Sequence, residues 1–156
     1  MKILVAFYSK TGRTKKVANM IAAHLNADIE EISEIKNRGG KIGSFFSAGK
    51  DALLKKTSEI KKTAKNPSDY DVVVIGSPTW VGNICPAIRT YLKENKFKKV
   101  AFFITHGGGP GKILSEMEKL GGKPIATLEV RDKKVEDKIS KENIEKFCEK
   151  INLIRI

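Results

Sequence analysis

The chain has 156 residues, enough for one domain with a hydrophobic core, and we expect residues 1–156 to form a single domain. Its 30 Lys and Arg against 18 Asp and Glu give a formal charge of +12, and no apolar run reaches the roughly 20 residues that cross a membrane. The two cysteines, Cys85 and Cys148, fit neither a zinc site nor a disulfide framework, so we expect a cytoplasmic protein without signal peptide or metal.

The first predicted strand leads into a loop rich in hydroxyl groups. Residues 3–8 form a continuous apolar run, as in a strand buried on both faces. The next segment runs straight into a helix and consists of Ser9, Lys10, Thr11, Gly12, Arg13 and Thr14. The helix has one apolar face, marked by Val17, Ala18, Ile21, Ala22 and Leu25. Hydroxyls, cations and backbone N–H groups at a helix N-terminus are typical of phosphate binding, with an ordinary capped helix start as the alternative.

Residues 28–35 mix polar and apolar side chains and predict a strand near the sheet edge. Residues 36–65 then contain nine basic and two acidic side chains. This basic stretch fits either an enlarged second helix with a solvated lysine face or a docking surface for an acidic partner. Nucleic acid is not expected as a partner, because the interleaved aromatic residues of a single-strand binder are missing.

The third predicted strand, residues 72–75, is followed by a loop over residues 77–84 with the only tryptophan of the chain. Trp80 in that loop offers a flat stacking surface for a ligand, and packing against its own domain is the alternative. Cys85 opens the next helix, whose apolar face includes Ile88, Tyr91 and Leu92. Its thiol is either redox-active, through the helix dipole, or a small buried packing group.

The fourth predicted strand, residues 100–104, is followed by a loop with four glycines among residues 107–111. The loop matches neither the P-loop nor the dinucleotide pattern, so we interpret it as a mobile loop that approaches a flat ligand. A helix over residues 113–120, a second edge strand over 124–130 and a last helix marked by Ile139, Ile144, Phe147 and Ile151 complete the chain.

Five strands alternating with five helices predict an α/β fold, a doubly wound five-stranded parallel sheet with helices on both faces. Right-handed crossovers favour the strand order 2-1-3-4-5, with the three apolar strands in the middle. In such sheets a ligand binds outside the carboxyl ends of the strands, where residues 9–14, 77–84 and 105–111 should meet.

These three loops, in this order and after these strands, resemble those of flavodoxins and the wider flavodoxin-like flavoproteins, over nearly the whole chain. The most specific match is residues 7–14, which resemble that family's phosphate-binding loop. The resemblance implies FMN, with its phosphate held by Ser9, Lys10, Thr11, Gly12, Arg13 and Thr14. It places the flavin ring among residues of the two later loops, namely Pro78, Thr79, Trp80, Val81, Gly82, Asn83, Thr105, His106, Gly107, Gly108 and Gly109.

The resemblance implies an electron carrier, which we favour over an NAD(P)H-dependent FMN or quinone reductase on the same fold. A non-flavin module that binds another phosphate ligand is the distant alternative. Flavodoxins are typically acidic, so the opposite charge of this chain predicts an acidic redox partner, which could dock on residues 36–65. For His106 we expect a hydrogen bond to the flavin or proton donation to a substrate.

Overall fold

The computed structural model describes residues 1–35 and 57–155, which form a single mixed sheet flanked by helices. The strands are β1 (Ile3–Phe7), β2 (Asp28–Glu31), β3 (Val72–Trp80), β4 (Asn83–Ile84), β5 (Val100–His106) and β6 (Pro124–Arg131). The helices are α1 (Arg13–Leu25), α2 (Pro86–Glu94), α3 (Ile113–Gly121) and α4 (Lys138–Asn152). Short 3-10 turns at Pro67–Asp69, Asp132–Lys134 and Leu153–Arg155 complete the regular structure of these residues.

The sheet order is β2-β1-β3-β5-β6, and every pairing along this path is parallel. With the short antiparallel strand β4 set aside, this is the predicted order 2-1-3-4-5, which is therefore confirmed. The three apolar strands lie in the middle because their side chains are buried on both faces of the sheet. The two mixed strands, β2 and β6, are at the edges as predicted.

Helices cover both faces of the sheet, and each face has its own hydrophobic core. On one face, α1 and α4 pack on the sheet through Val17, Ile21, Ile144 and Phe147. On the other, α2 and α3 pack through Ile88, Tyr91, Ile113 and Met117. The predicted helix within residues 36–65, with the basic stretch itself, falls mostly outside the described residues.

Several details of the sequence prediction were wrong. β3 does not end at Ile75 but continues to Trp80, because β4 turns back and supplies an antiparallel partner for its last residues. The second strand ends at Glu31 rather than residue 35, because β1 stops at Phe7 and offers no partner beyond the Ile32 N–H bond to the Phe7 carbonyl. Ile139 lies on α4 but is 69% exposed, so it does not belong to the apolar face.

None of the helices in residues 1–35 and 57–155 is both long and apolar enough to span a bilayer. The longest, α4, has 15 residues, whereas a membrane-spanning helix needs about 20.

Candidate ligand-binding site

A cavity of about 270 Å³ opens at the carboxyl edge of the sheet, where the doubly wound topology predicts a ligand. It lies between the β1–α1 loop, the β3–β4 hairpin and the ends of β5 and β6. Its lining consists of Lys10, Thr11, Arg13, Thr14, Pro78, Thr79, Trp80, Val81, Thr105 and Asp132. Residues from all three predicted loops therefore meet at one site.

The β1–α1 loop is held in shape by one serine. The Ser9 hydroxyl oxygen accepts hydrogen bonds from the backbone N–H of Gly12, at 3.1 Å, and of Lys15, at 3.2 Å. Gly12 is the N-cap of α1 and has φ +93°, a left-handed conformation that favours glycine. The loop thus curls tightly in front of the helix N-terminus, where the helix dipole favours an anion.

A buried pair of hydroxyl groups joins the first turn of α1 to the end of β5. The Thr14 and Thr105 Oγ1 atoms lie 2.9 Å apart, and both side chains are buried. Since Thr14 is in the first turn of α1 and Thr105 near the end of β5, the bond fixes the helix N-terminus relative to the sheet. Both residues also line the cavity, so the bond stiffens its floor.

The segment predicted as a tryptophan-bearing loop is a β-hairpin. Trp80 pairs with Asn83 across a two-residue turn made of Val81 and Gly82, whose φ values are +52° and +72°. Positive φ at both positions suits a tight hairpin, but it is strained for a β-branched residue such as Val81. The Asn83 side-chain amide donates a hydrogen bond of 3.1 Å to the Val81 carbonyl and stabilises this turn.

The Trp80 ring is fixed by contacts on two sides. It meets the Tyr8 ring edge-on, with centroids 5.5 Å apart and an interplanar angle of 86°. The Lys10 ammonium lies 5.6 Å from its centroid, within the range of a cation–π contact. The indole is therefore a preformed part of the cavity wall, supported by the segment that follows β1.

Two buried polar atoms at this edge of the sheet have no hydrogen-bond partner within residues 1–35 and 57–155. They are Thr79 Oγ1, which lies in the cavity lining, and His106 Nδ1, at the end of β5. Buried polar atoms in native proteins are nearly always paired, and an unpaired one in a cavity wall is suited to a polar atom of a ligand. His106 is 5% exposed and lies outside the cavity lining, and its contact with a ligand stays a prediction.

The structure brings nine of the seventeen predicted site residues to the cavity wall. These are Lys10, Thr11, Arg13, Thr14, Pro78, Thr79, Trp80, Val81 and Thr105. The other eight lie outside the lining; they are Ser9, Gly12, Gly82, Asn83, His106, Gly107, Gly108 and Gly109. Ser9, Gly12, Gly82 and Asn83 nonetheless shape the loop or the hairpin that the lining residues belong to.

Sequence reasoning missed one lining residue, Asp132. It follows the edge strand β6, and its carboxylate lies 3.9 Å from the guanidinium of Arg13. Ligand contacts were predicted only in the loops after the first, third and fourth strands, beside the point where the order of the sheet reverses. Because β6 pairs with β5 in parallel, the residue after β6 reaches the same edge, and this adjacency was the signal that could have found it.

The Cys85 thiol is fully buried at the N-cap of α2. Burial raises the pKa of Cys85 to about 12, and a weak hydrogen bond with the Ser77 hydroxyl, at 3.4 Å, opposes this shift without cancelling it. The helix dipole therefore does not produce a thiolate here. This environment fits the packing interpretation of Cys85 and not a redox-active thiol.

The buried thiol should make stability fall as the pH rises. Because the thiol pKa is raised from 9.0 to about 12, the folded state keeps its proton while the unfolded state loses it above about pH 9. Below about pH 9 we expect this one group to make its full contribution to the free energy of unfolding. Above about pH 9 that free energy should fall by about 1.4 kcal/mol per pH unit. Urea unfolding near pH 8 and pH 10 measures this effect. The free energy of unfolding should fall less between these two values in Cys85→Ala than in the wild type, and an equal fall in both proteins would contradict the raised pKa of Cys85.

Comparison with known proteins identifies the family. The sequence model of the family described as Flavodoxin matches residues 46–151, and the chain therefore belongs to the flavodoxin family. This confirms the resemblance noted from the loops. A flavoprotein from Lactobacillus acidophilus NCFM, solved in complex with FMN, has a TM-score of 0.68 and 27% identity, over 88% of this chain and 97% of that one. Oxidised flavodoxin 2 from Bacillus cereus has a TM-score of 0.63 over 99% of both chains, and its 20% identity supports the fold alone.

One curated relative carries the name of an enzyme. NAD(P)H dehydrogenase (quinone) 3 from Rhizobium meliloti (strain 1021) is 28% identical in an alignment of 132 residues that covers 73% of this chain. The same alignment covers 59% of that relative, so the chain spans about three fifths of its length.

Proposed function

We propose that this chain binds FMN in the cavity and carries electrons between redox proteins. The observation on which the proposal depends is that one cavity combines the β1–α1 loop at a helix N-terminus, the side chain of Trp80 and the buried hydroxyl of Thr79, which has no partner among the described residues. Membership in the flavodoxin family and the similarity to a flavoprotein solved with FMN support this cofactor.

The residues of the cavity fit the parts of FMN. The phosphate would be held at the N-terminus of α1 by backbone N–H groups and the hydroxyls of Thr11 and Thr14, with Lys10 and Arg13 balancing its charge. Trp80 offers a flat apolar surface to the ring, and Thr79 Oγ1 offers a hydrogen bond to a polar atom of the ligand. When bound, FMN supplies the redox chemistry by accepting and releasing electrons.

A reductase that uses NAD(P)H directly is the second candidate, favoured by the name of the Rhizobium relative. That relative is longer than this chain. Anaerobic reduction of the FMN-loaded protein, followed by visible absorption, separates the candidates. A carrier is reduced by dithionite and is indifferent to NADPH and NADH, whereas a reductase is bleached quickly by nicotinamide alone. A purified protein that retains no yellow flavin after incubation with FMN would instead indicate a binder of another phosphate ligand.

The proposed electron-transfer partner is acidic. Within residues 9–14, 78–81, 105–112 and 131–134, which line the cavity or adjoin its lining, there are six cations, namely Lys10, Arg13, Lys112, Arg131, Lys133 and Lys134. The same segments contain one carboxylate, that of Asp132. All six cations are exposed, and Val81 presents an apolar side chain beside them that is 63% exposed. These six cations form a positive rim around the apolar side chain of Val81. Such a rim attracts an acidic protein and orients it toward the cavity.

Charge reversal on this rim should change electron transfer to charged reagents. We expect the double variant Lys133→Glu, Lys134→Glu to slow oxidation of the reduced, FMN-loaded protein by anionic ferricyanide by about tenfold at low salt, since steering charges act at this scale. Oxidation by cationic hexaammineruthenium should become faster, and both effects should fade once salt shortens the screening length to about 10 Å.

The matched control is Lys96→Glu, Lys123→Glu, which makes the same change in net charge with two exposed lysines that precede β5 and β6 at the opposite edge of the sheet. We expect this control to alter either rate by less than about twofold. If the control variant slowed ferricyanide as much as the rim variant, the total charge and not the rim would be responsible.

The proposed location is the cytoplasm. Both cysteines, Cys85 and Cys148, are free and buried in the structure, and the sequence offers no further cysteine for a disulfide. A chain of this kind needs no oxidising compartment for its folding, which agrees with the composition argument.

A further inference from the structure

The turn of the hairpin approaches the glycine loop closely where the backbone of Gly82 meets Gly111. An ideal Cβ added to Gly111 would lie 2.7 Å from the Gly82 carbonyl oxygen and 2.8 Å from its Cα. Real Cβ atoms essentially never come closer than 3.0 Å to such atoms, so a side chain at residue 111 would push the turn away. Gly111 also has φ +59°, a left-handed conformation that favours glycine.

The displaced turn would take the cavity wall with it. Val81, next to Gly82, and Trp80, one residue earlier, both line the cavity. The hairpin is short, with only two paired positions beyond the parallel part of β3, so it has little slack to absorb a push at its tip. Its base is fixed, because Ile84 and Cys85 are fully buried and α3, the helix that begins after Gly111, packs against β4.

We propose that Gly111 is a positioning residue for the ligand site, because its bare Cα seats the hairpin turn and so fixes Trp80 and Val81 at the cavity. The geometric part of this inference concerns the protein alone. Its consequence for FMN affinity rests on the proposed function.

The test compares Gly111→Ala with Gly122→Ala. Gly122 follows α3 at its other end and has φ +96°, and no atom of the described part of the chain lies within 4 Å of an added Cβ. Alanine therefore has to adopt a positive φ at both positions, which is unfavourable for any residue with a Cβ, but it pushes the hairpin only at residue 111. The readouts are the fluorescence of Trp80, the only tryptophan of the chain, in the ligand-free protein, and the dissociation constant for FMN.

We expect Gly111→Ala to change the emission maximum or intensity of Trp80, since the ring leaves its contacts with Tyr8 and Lys10. FMN binding should weaken by about tenfold. Gly122→Ala should match the wild type in emission and bind FMN within about twofold. Unchanged emission in Gly111→Ala, or equal changes in both variants, would overturn the proposal.

Two complications are covered by the design. If Gly111→Ala is too unstable to study, the wild type and both variants are compared in trimethylamine N-oxide, an osmolyte that stabilises folded proteins and leaves the hairpin sequence unchanged. If the wild type binds no FMN, the proposed function fails, whereas the fluorescence comparison still decides the role of Gly111.

Discussion

Replacing Gly76 with alanine is expected to lower the free energy of unfolding by about 3 kcal/mol or more, the upper part of the range for overpacked cores. Gly76 lies in β3, the central strand, and the ring of Phe103 in β5 lies directly over its Cα. An added Cβ would overlap three atoms of that ring. Because β3 pairs with β1 on one side and β5 on the other, the backbone cannot move away without breaking the sheet. Urea unfolding measures the effect.

Gly108→Ala is the control for this prediction. Gly108 has no atom within 4 Å of an added Cβ and does not adopt a positive φ, so alanine there should change stability by less than about 0.5 kcal/mol. Shortening Phe103 to leucine should recover part of the loss in the Gly76→Ala protein, although Phe103→Leu alone is destabilising. Simple additivity of the two substitutions would show that the ring is not the obstacle.

The second large effect is expected for the substitution of Ser9 by alanine. It concerns the affinity for FMN, measured against the affinity for riboflavin, which lacks the phosphate. Ser9→Ala removes the oxygen that accepts the N–H groups of Gly12 and Lys15, and with it the shape of the loop in front of α1. Each of these two hydrogen bonds joins neutral groups and contributes about 0.5–1.5 kcal/mol, so the pair together contributes about 1–3 kcal/mol. We therefore expect the affinity for FMN to fall by roughly tenfold to a hundredfold. The affinity for riboflavin should change by less than about threefold, because riboflavin places no anion at the loop.

Ser115→Ala provides the comparison, since Ser115 is an exposed serine in the first turn of another helix, where its hydroxyl donates to the Lys112 carbonyl. It should leave both affinities at the wild-type value. Equal losses for FMN and riboflavin in Ser9→Ala would mean that the loop does not recognise a phosphate. Titration of Trp80 fluorescence or of flavin absorption gives all the affinities needed.

The two halves of the site were predictable to different degrees. The β1–α1 loop was found in the sequence because its residues are contiguous, and a glycine with hydroxyl-bearing neighbours before a helix has a direct physical meaning. The segment around Trp80 was predicted to be part of the site, but it was interpreted as a loop. The strand β4 has only two residues, and a strand of that length has no recognisable sequence pattern. Thr79 was named as a site residue, yet its unpaired hydroxyl is visible only when its surroundings are known.

By itself the sequence determined the fold class, the strand order and the edge of the sheet at which a site forms. Apolar runs such as residues 72–75 and 100–104 are buried on both sides only in the middle of a sheet that has helices on both faces. Because crossovers between parallel strands are right-handed, few strand orders then remain. Only the tertiary structure decided the pairing of Arg13 with Asp132, the bond between Thr14 and Thr105, and the contact of Gly82 with Gly111. Each joins segments far apart in the chain at a distance of a few ångströms, and periodicity along a sequence contains no information about distances of that kind.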